Sequence, residues 1–308
     1  MHRVLVATPL GCHVYTPGRA FETELVHRNV TALARGVGKT CWAVVDEHEI
    51  WQRSAEGMWS LVTSTKIALE SILVIGTTVF GGSSTDATLV RLRSQEEEER
   101  LVGFDNVAGR EDWFAEGPPL SVRALTTTAD GAAILAAVHV GGIPRSSDGG
   151  LTWIPTLPIE FDVHEVRAHP SVSAIVAAAT TVGLCISQDA GLSWTVLDEG
   201  LEITNSLAAA VLPDEVLFSI QEGPFATRSQ VWRWQMDGTR LERVRDGLPL
   251  WFEGKIDTAR IAADYGRAAI ADGGGNLWLS GTGSRGWERL ATHVPYGPGI
   301  LIVEAAEG

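Results

Sequence analysis

The stretch Ser146-Ser147-Asp148-Gly149-Gly150-Leu151-Thr152-Trp153 reads S-x-D-x-G-x-T-W, and it returns as Ser187-Gln188-Asp189-Ala190-Gly191-Leu192-Ser193-Trp194. The two tryptophans stand 41 residues apart, a period found in propeller blades and other repeat arrays. Local folding chemistry accounts for every position. Asp148 and Asp189 can accept hydrogen bonds from the backbone of their own turn. Gly150 and Gly191 suit the positive φ of a tight hairpin. Ser146 and Ser187 add a second short polar side chain, while Trp153 and Trp194 begin the next strand and pack between repeats.

The motif resembles the Asp-box of the bacterial-neuraminidase-repeat (BNR) propellers, a superfamily of sialidases, sortilin-type propellers and many uncharacterised bacterial proteins. The resemblance implies a hairpin between strands three and four of each blade, on the side opposite the loops that carry sites. Sialidases hold the substrate carboxylate with three arginines, one in an R-I-P element, and use a Tyr/Glu nucleophile pair. Here the nearest match is Ile143-Pro144-Arg145, in reversed order, and none of Tyr15, Tyr265 and Tyr296 has a Glu at a matching position. The chain is therefore expected to share the repeat and not the sialidase reaction.

The second motif sits in the fullest repeat: an inner strand at Val166–Pro170, a second strand ending at Gly183, a third to Asp189, and a fourth from Leu192 to Leu197. Hydrophobic periodicity extends this template over 30–63, 65–104, 121–157, 161–198, 204–246 and 256–291. Strand-like runs at 3–27 and 298–308 remain, three at the front and one at the back. Three plus one completes a seventh blade and removes the open sheet edges. Division of 308 residues by seven gives 44 per blade. The fold class is all-β: one domain over 1–308, a seven-bladed β-propeller of four-stranded antiparallel blades, with six blades as the rival count.

Composition agrees, with 33 glycines, 11 tryptophans and no helical periodicity. A net charge of −14 argues against nucleic acid or an anionic membrane as a partner, because phosphate binding needs a basic face. No apolar run is long enough for a transmembrane helix. Cys12, Cys41 and Cys185 have no metal-like spacing, and the N-terminus lacks a signal-peptide layout, so a reduced cytoplasmic protein is expected, with an exported mature form as the alternative.

Several motifs have plainer explanations than the chemistry they suggest. Gly36-Val37-Gly38-Lys39-Thr40 lacks the first glycine of a phosphate loop and leads into a strand, so it is a hairpin turn. The acidic run Glu96–Glu99 is expected to be solvated surface. The eight histidines never fall in a metal-ligand spacing; His13, His48 and His164 could approach the ring axis, but no metal and no cofactor is expected. No nucleophile elbow occurs.

A site is expected on the face formed by the inter-blade loops and the loops joining strands two and three. Trp113, Phe161, His164, Trp251, Phe252 and Tyr296 lie in long loops of that class, with Arg123 and Lys66 at the starts of inner strands. Aromatic faces beside carboxylates suit a small neutral or cationic ligand, carbohydrate included, or a protein partner; alternatively these rings plug the funnel. A glycosidase-like hydrolase or lyase would need paired carboxylates, for which Glu165 with Asp257 or Asp162 with Glu253 are the candidates. Binding without catalysis is the expectation, and carbohydrate cleavage is the alternative.

Overall fold

The computed structural model describes residues 2–93, 98–114, 119–223, 225–238 and 240–304 as seven antiparallel sheets, each on a path of four strands. Blade 1 joins the chain ends: Gly299–Glu304 is innermost, followed by His2–Thr8, Gly11–Tyr15 and Glu22–Glu24. The register pairs His2 with Glu304, Val4 with Ile302 and Ala7 with Gly299. The ring is a seven-bladed β-propeller closed by the C-terminal strand, and the six-blade count is excluded.

The inner strands of blades 2 to 5 are Val30–Arg35, Leu69–Ile75, Val122–Thr127 and Val163–Ala168. Those of blades 6 and 7 are Ala209–Val211 and Ile261–Asp264. Blade 6 carries one extra short strand, Phe252–Glu253, on its third strand. No described helix is long and apolar enough to cross a membrane.

These strands are apolar on both faces because each blade is covered by two neighbours. In blade 5, Val176 and Ala178 face blade 4, while Ala177 and Ala179 face blade 6. Seven buried clusters result, one in each gap between adjacent blades. The gap between blades 7 and 1 holds Val4, Val6, Ile300 and Ile302 against Ala269, Leu277 and Val294.

The S-x-D-x-G-x-[ST]-W turns satisfy their own backbone. Asp148 Oδ1 accepts from the N–H groups of Leu151 (3.0 Å) and Thr152 (2.9 Å), and Oδ2 accepts from the Thr152 hydroxyl (2.6 Å). Asp189 repeats this with Leu192 (3.1 Å) and Ser193 (2.8 Å and 2.6 Å). Gly191 adopts φ +82°, and a Cβ there would lie 2.2 Å from a Leu135 methyl, so the close approach to blade 4 requires glycine. Trp153 is buried between blades 3 and 4 and its indole donates to the Gly150 carbonyl at 3.0 Å. Trp287 makes the same bond to Ser284 at 2.9 Å, which marks Ser284-Arg285-Gly286-Trp287 as a worn copy in blade 7.

The Thr152 hydroxyl and N–H, with the Ser146 hydroxyl, hold the Asp148 carboxyl at about 2. A carboxyl depressed below its unfolded value of about 4 stabilises the fold above that pH, and the contribution is lost as pH falls towards 2. Asp148→Ala is therefore expected to lower stability by about 1 kcal/mol at pH 7, a modest figure because the carboxylate faces water. Urea unfolding of both proteins should show the gap shrinking between pH 5 and pH 2. A gap that is constant over that range would contradict the assigned role.

Other turns follow local chemistry. Gly36 and Thr40 close a hairpin turn at 3.0 Å. In the acidic run, Glu96 and Glu97 lie outside the described residues. Glu98 is not free surface: it accepts from the Thr65 hydroxyl and, at 3.0 Å, from the Lys66 N–H, tying blade 3 to the link from blade 2.

Candidate functional site

The ring axis opens into a cavity of about 650 Å³, within the range of small-molecule sites. Its wall is made by the starts of inner strands and by loops of the class expected to carry a site. A repeated irregularity builds it. In blades 2 to 5 the pairing register of the inner strand slips at its second residue, between Val30 and Ala32, Leu69 and Ser71, Val122 and Ala124, and Val163 and Glu165. A bulge re-aims the extra residue. The four extra residues, Thr31, Glu70, Arg123 and His164, all line the cavity.

Blade 5 enters through Asp162, which ends a single 3-10 turn at φ +40°, a left-handed conformation that Asp tolerates better than most residues. Its Oδ2 lies 3.7 Å from His164 Nε2 and its Oδ1 lies 3.7 Å from His139 Nε2. The Arg123 guanidinium donates to His164 Nδ1. Burial and the adjacent Arg123 hold His164 down at about 4, so the ring is neutral at pH 7. His139 is lowered by the same two causes.

The opposite wall is already hydrogen-bonded. Asp257 Oδ2 accepts from the Tyr296 hydroxyl at 2.9 Å and sits 3.3 Å from Lys255 Nζ, while Oδ1 accepts from the Thr258 N–H at 2.9 Å. Burial alone would raise Asp257; Lys255 and these two donors outweigh it and hold the carboxyl below its ordinary value. Burial and the neighbouring Asp257 push the Tyr296 phenol up to about 12. The Tyr296 ring lies over the fully buried Arg260, 4.5 Å from ring centre to guanidinium carbon. Arg260 in turn donates to the carbonyls of Ala271, Gly297 and Asp272 at 2.9, 2.7 and 3.0 Å, which fixes this loop.

Of the residues expected from sequence, Arg123, Asp162, His164, Asp257 and Tyr296 line this cavity together. Glu165 does not. It is fully buried, pairs with Arg167, and accepts from the N–H groups of Ala209 (2.9 Å) in blade 6 and Ala259 (3.3 Å) at the start of blade 7. It staples three blades at the axis, which separates it from Asp257 as a catalytic partner. Glu253 is exposed on the extra strand of blade 6, so Asp162 and Glu253 are not brought together.

The aromatics go elsewhere for packing reasons. Trp113 is buried against Phe104 and Trp153 between blades 3 and 4. Phe252 is buried between blades 6 and 7, edge-on to Trp278. Trp251 stacks with Arg228 and Arg243 at 4.1 and 5.2 Å. Phe161 packs on the gap between blades 4 and 5, and Lys66 is exposed in the link tied by Glu98. Of that set, Tyr296 and His164 are the rings at the cavity. His13 lies tilted against the Tyr15 and Phe21 rings in blade 1, His48 is exposed in a turn, and no group of three metal donors occurs among the described residues.

Glu70, His139, Arg167 and Lys255 line the cavity without having been singled out for it. For Glu70 a signal existed. Leu69-Glu70-Ser71-Ile72 places its apolar residues three apart, as do Val30-Thr31-Ala32-Leu33, Val122-Arg123-Ala124-Leu125 and Val163-His164-Glu165-Val166. A strand with period two cannot do this without a bulge.

No protein-family model and no curated protein sequence matches the chain. Among solved structures, an ancestral GH74 enzyme superposes with a TM-score of 0.64 at 13% identity, covering 89% of this chain and 37% of that one. The GH74 xyloglucanase from Xanthomonas campestris gives 0.62 at 16% identity, covering 84% and 45%. The chain thus spans less than half the length of either enzyme. YCF48 bound to D1 peptide gives 0.59 at 15% identity, covering 87% of this chain and 86% of that one. At these identities the likeness is one of fold.

Proposed function

We propose that this chain is a binding propeller of the Asp-box repeat type whose axial cavity takes a small ligand bearing charge, without covalent chemistry. The observation that carries the proposal is the state of Asp257 and Glu165, the pair of carboxyls that cleavage would draw on, of which only Asp257 lines the cavity. Cleavage of a glycoside requires one carboxyl kept protonated as acid and a second, free carboxylate as base or nucleophile across the cleft. Asp257 is held ionised by Lys255, Tyr296 and the Thr258 N–H, and Glu165 is consumed in the three-blade staple. What remains exposed to a ligand is a wall with both signs of charge, Arg123 and Lys255 against Glu70 and Asp162. Such a wall recognises ligands through charge-assisted hydrogen bonds. The YCF48 structure supports the class, since a propeller of similar fold and length holds a peptide.

One observation favours the hydrolytic alternative. Burial raises the Glu70 carboxyl, the direction a general acid needs, with the Ser121 hydroxyl and Arg123 acting against it. Two measurements separate the readings. A thermal-shift panel of amino acids, short peptides and neutral sugars should give at least one stabilising ligand, worth about 2.7 kcal/mol at a hundred times its dissociation constant. Arg123→Leu should erase that shift. Release of reducing ends from xyloglucan, lost in Glu70→Gln, would instead establish the hydrolase.

A further inference from the structure

The two histidines beside Asp162 carry their hydrogens on opposite nitrogens, and this gives the cavity a defined chemical appetite. His139 Nδ1 lies 3.2 Å from the Pro119 carbonyl oxygen, which can only accept, so the ring hydrogen is on Nδ1. His139 Nε2 is then a lone pair on a side chain that is 7% exposed. His164 is reversed. Its Nδ1 faces the Arg123 guanidinium, which can only donate, so its hydrogen is on Nε2 and points towards Asp162 Oδ2.

Asp162 Oδ1 is left buried without a hydrogen-bond donor among the described residues, 3.7 Å from the His139 lone pair. Two acceptors facing each other at that separation repel unless a group with at least two hydrogens bridges them. A donor about 2.8 Å from both sits at a normal hydrogen-bond length at this spacing, and because Oδ1 is closed to water-sized groups in this arrangement, filling the seat requires the Asp162 carboxylate to turn towards the cavity. A metal ion is poorly served, because His164 has committed both its nitrogens and two donors do not close a site.

We propose that the seat between His139 Nε2 and Asp162 Oδ1 takes the primary ammonium of a free amino acid, whose carboxylate lies towards Arg123. A compact ammonium offers three hydrogens and the charge that the Asp162 carboxylate needs. A simple amine would meet Arg123 unshielded. An amino acid carries its own anion two bonds away, matching the guanidinium donors that His164 does not use, and the 650 Å³ cavity has room for its side chain. This inference rests on the proposal that the axial cavity is the binding site.

The test titrates the full chain calorimetrically with each of the twenty standard amino acids, then repeats the best binder as its N-acetyl derivative and as its amide. Expected results are binding of at least one amino acid, about tenfold or greater weakening on acetylation, and clear weakening for the amide. Asp162→Asn should weaken the amino acid by a similar factor and leave the N-acetyl derivative unchanged, and His139→Gln provides a second variant should the first fold poorly. Equal binding of the amino acid and its N-acetyl derivative would overturn the ammonium seat. So would zinc binding that disappears in His139→Gln, or tighter binding of the amide, which would point to a peptide amino terminus. If no amino acid binds but a sugar or a carboxylate does so in an Arg123-dependent way, this inference fails while the cavity proposal stands. If the whole panel is silent, both fail.

Discussion

A chain ending at residue 298 is expected to lose its native fold. Gly299–Glu304 is the inner strand of blade 1, and its side chains serve two gaps at once: Ile300 and Ile302 pack towards blade 7, and Val303 packs towards blade 2. The Arg35 guanidinium of blade 2 also donates to the Ile302 carbonyl at 2.9 Å. Truncating buried aliphatic side chains costs about 2–5 kcal/mol apiece. Three of them therefore approach the entire 5–15 kcal/mol that holds a typical protein together. The exposed edge of His2–Thr8 would further favour association. Near-ultraviolet dichroism and gel filtration should report lost tertiary packing and larger species. Ile302→Asp is the single-residue version, and a urea midpoint like that of the parent in either protein would refute ring closure as the source of stability.

The second large effect is at Glu165. Glu165→Ala leaves Arg167 without its partner and strands the N–H groups of Ala209 and Ala259 near the axis. Breaking a buried, hydrogen-bonded ion pair by removing one member typically costs about 3–5 kcal/mol. Arg167 is one-third exposed and can turn to water, which places the expectation at the lower end, about 3 kcal/mol, in urea unfolding. A catalytic carboxylate would behave in the opposite manner, with stability kept and turnover lost. A Glu165→Ala protein of unchanged stability would remove the staple.

The blade count and the closure are legible in the sequence because both are consequences of period. Two turn motifs 41 residues apart set the repeat, and three strands at one end with one at the other make up a seventh blade, against a rival count of six. The site was legible only in part. Arg123, Asp162, His164, Asp257 and Tyr296 sit where loop class and strand starts indicate. Trp113, Trp251 and Phe252 misled because a loop aromatic looks alike in sequence whether it faces a ligand or seals the gap under its own loop. Here burial between blades, or stacking with arginines, took them. Glu165 misled for a subtler reason: one residue of bulge moves the inward-facing position from Glu165 to His164. Parity along a strand decides which side chain meets the axis, and a single inserted residue reverses it.

That repeated slip has a consequence for how such a ring changes over time. Thr31, Glu70, Arg123 and His164 stand outside the pairing ladder of their strands, so exchanging them alters the polar lining of the cavity without removing a backbone pair, although Thr31 would also give up its bond to the Leu69 carbonyl in the next blade. Cavity lining and sheet pairing are carried by different residues of the same strand. A hydroxyl, an acid, a guanidinium and an imidazole already occupy four equivalent sockets in one molecule, so the same bulge accepts side chains of very different chemistry.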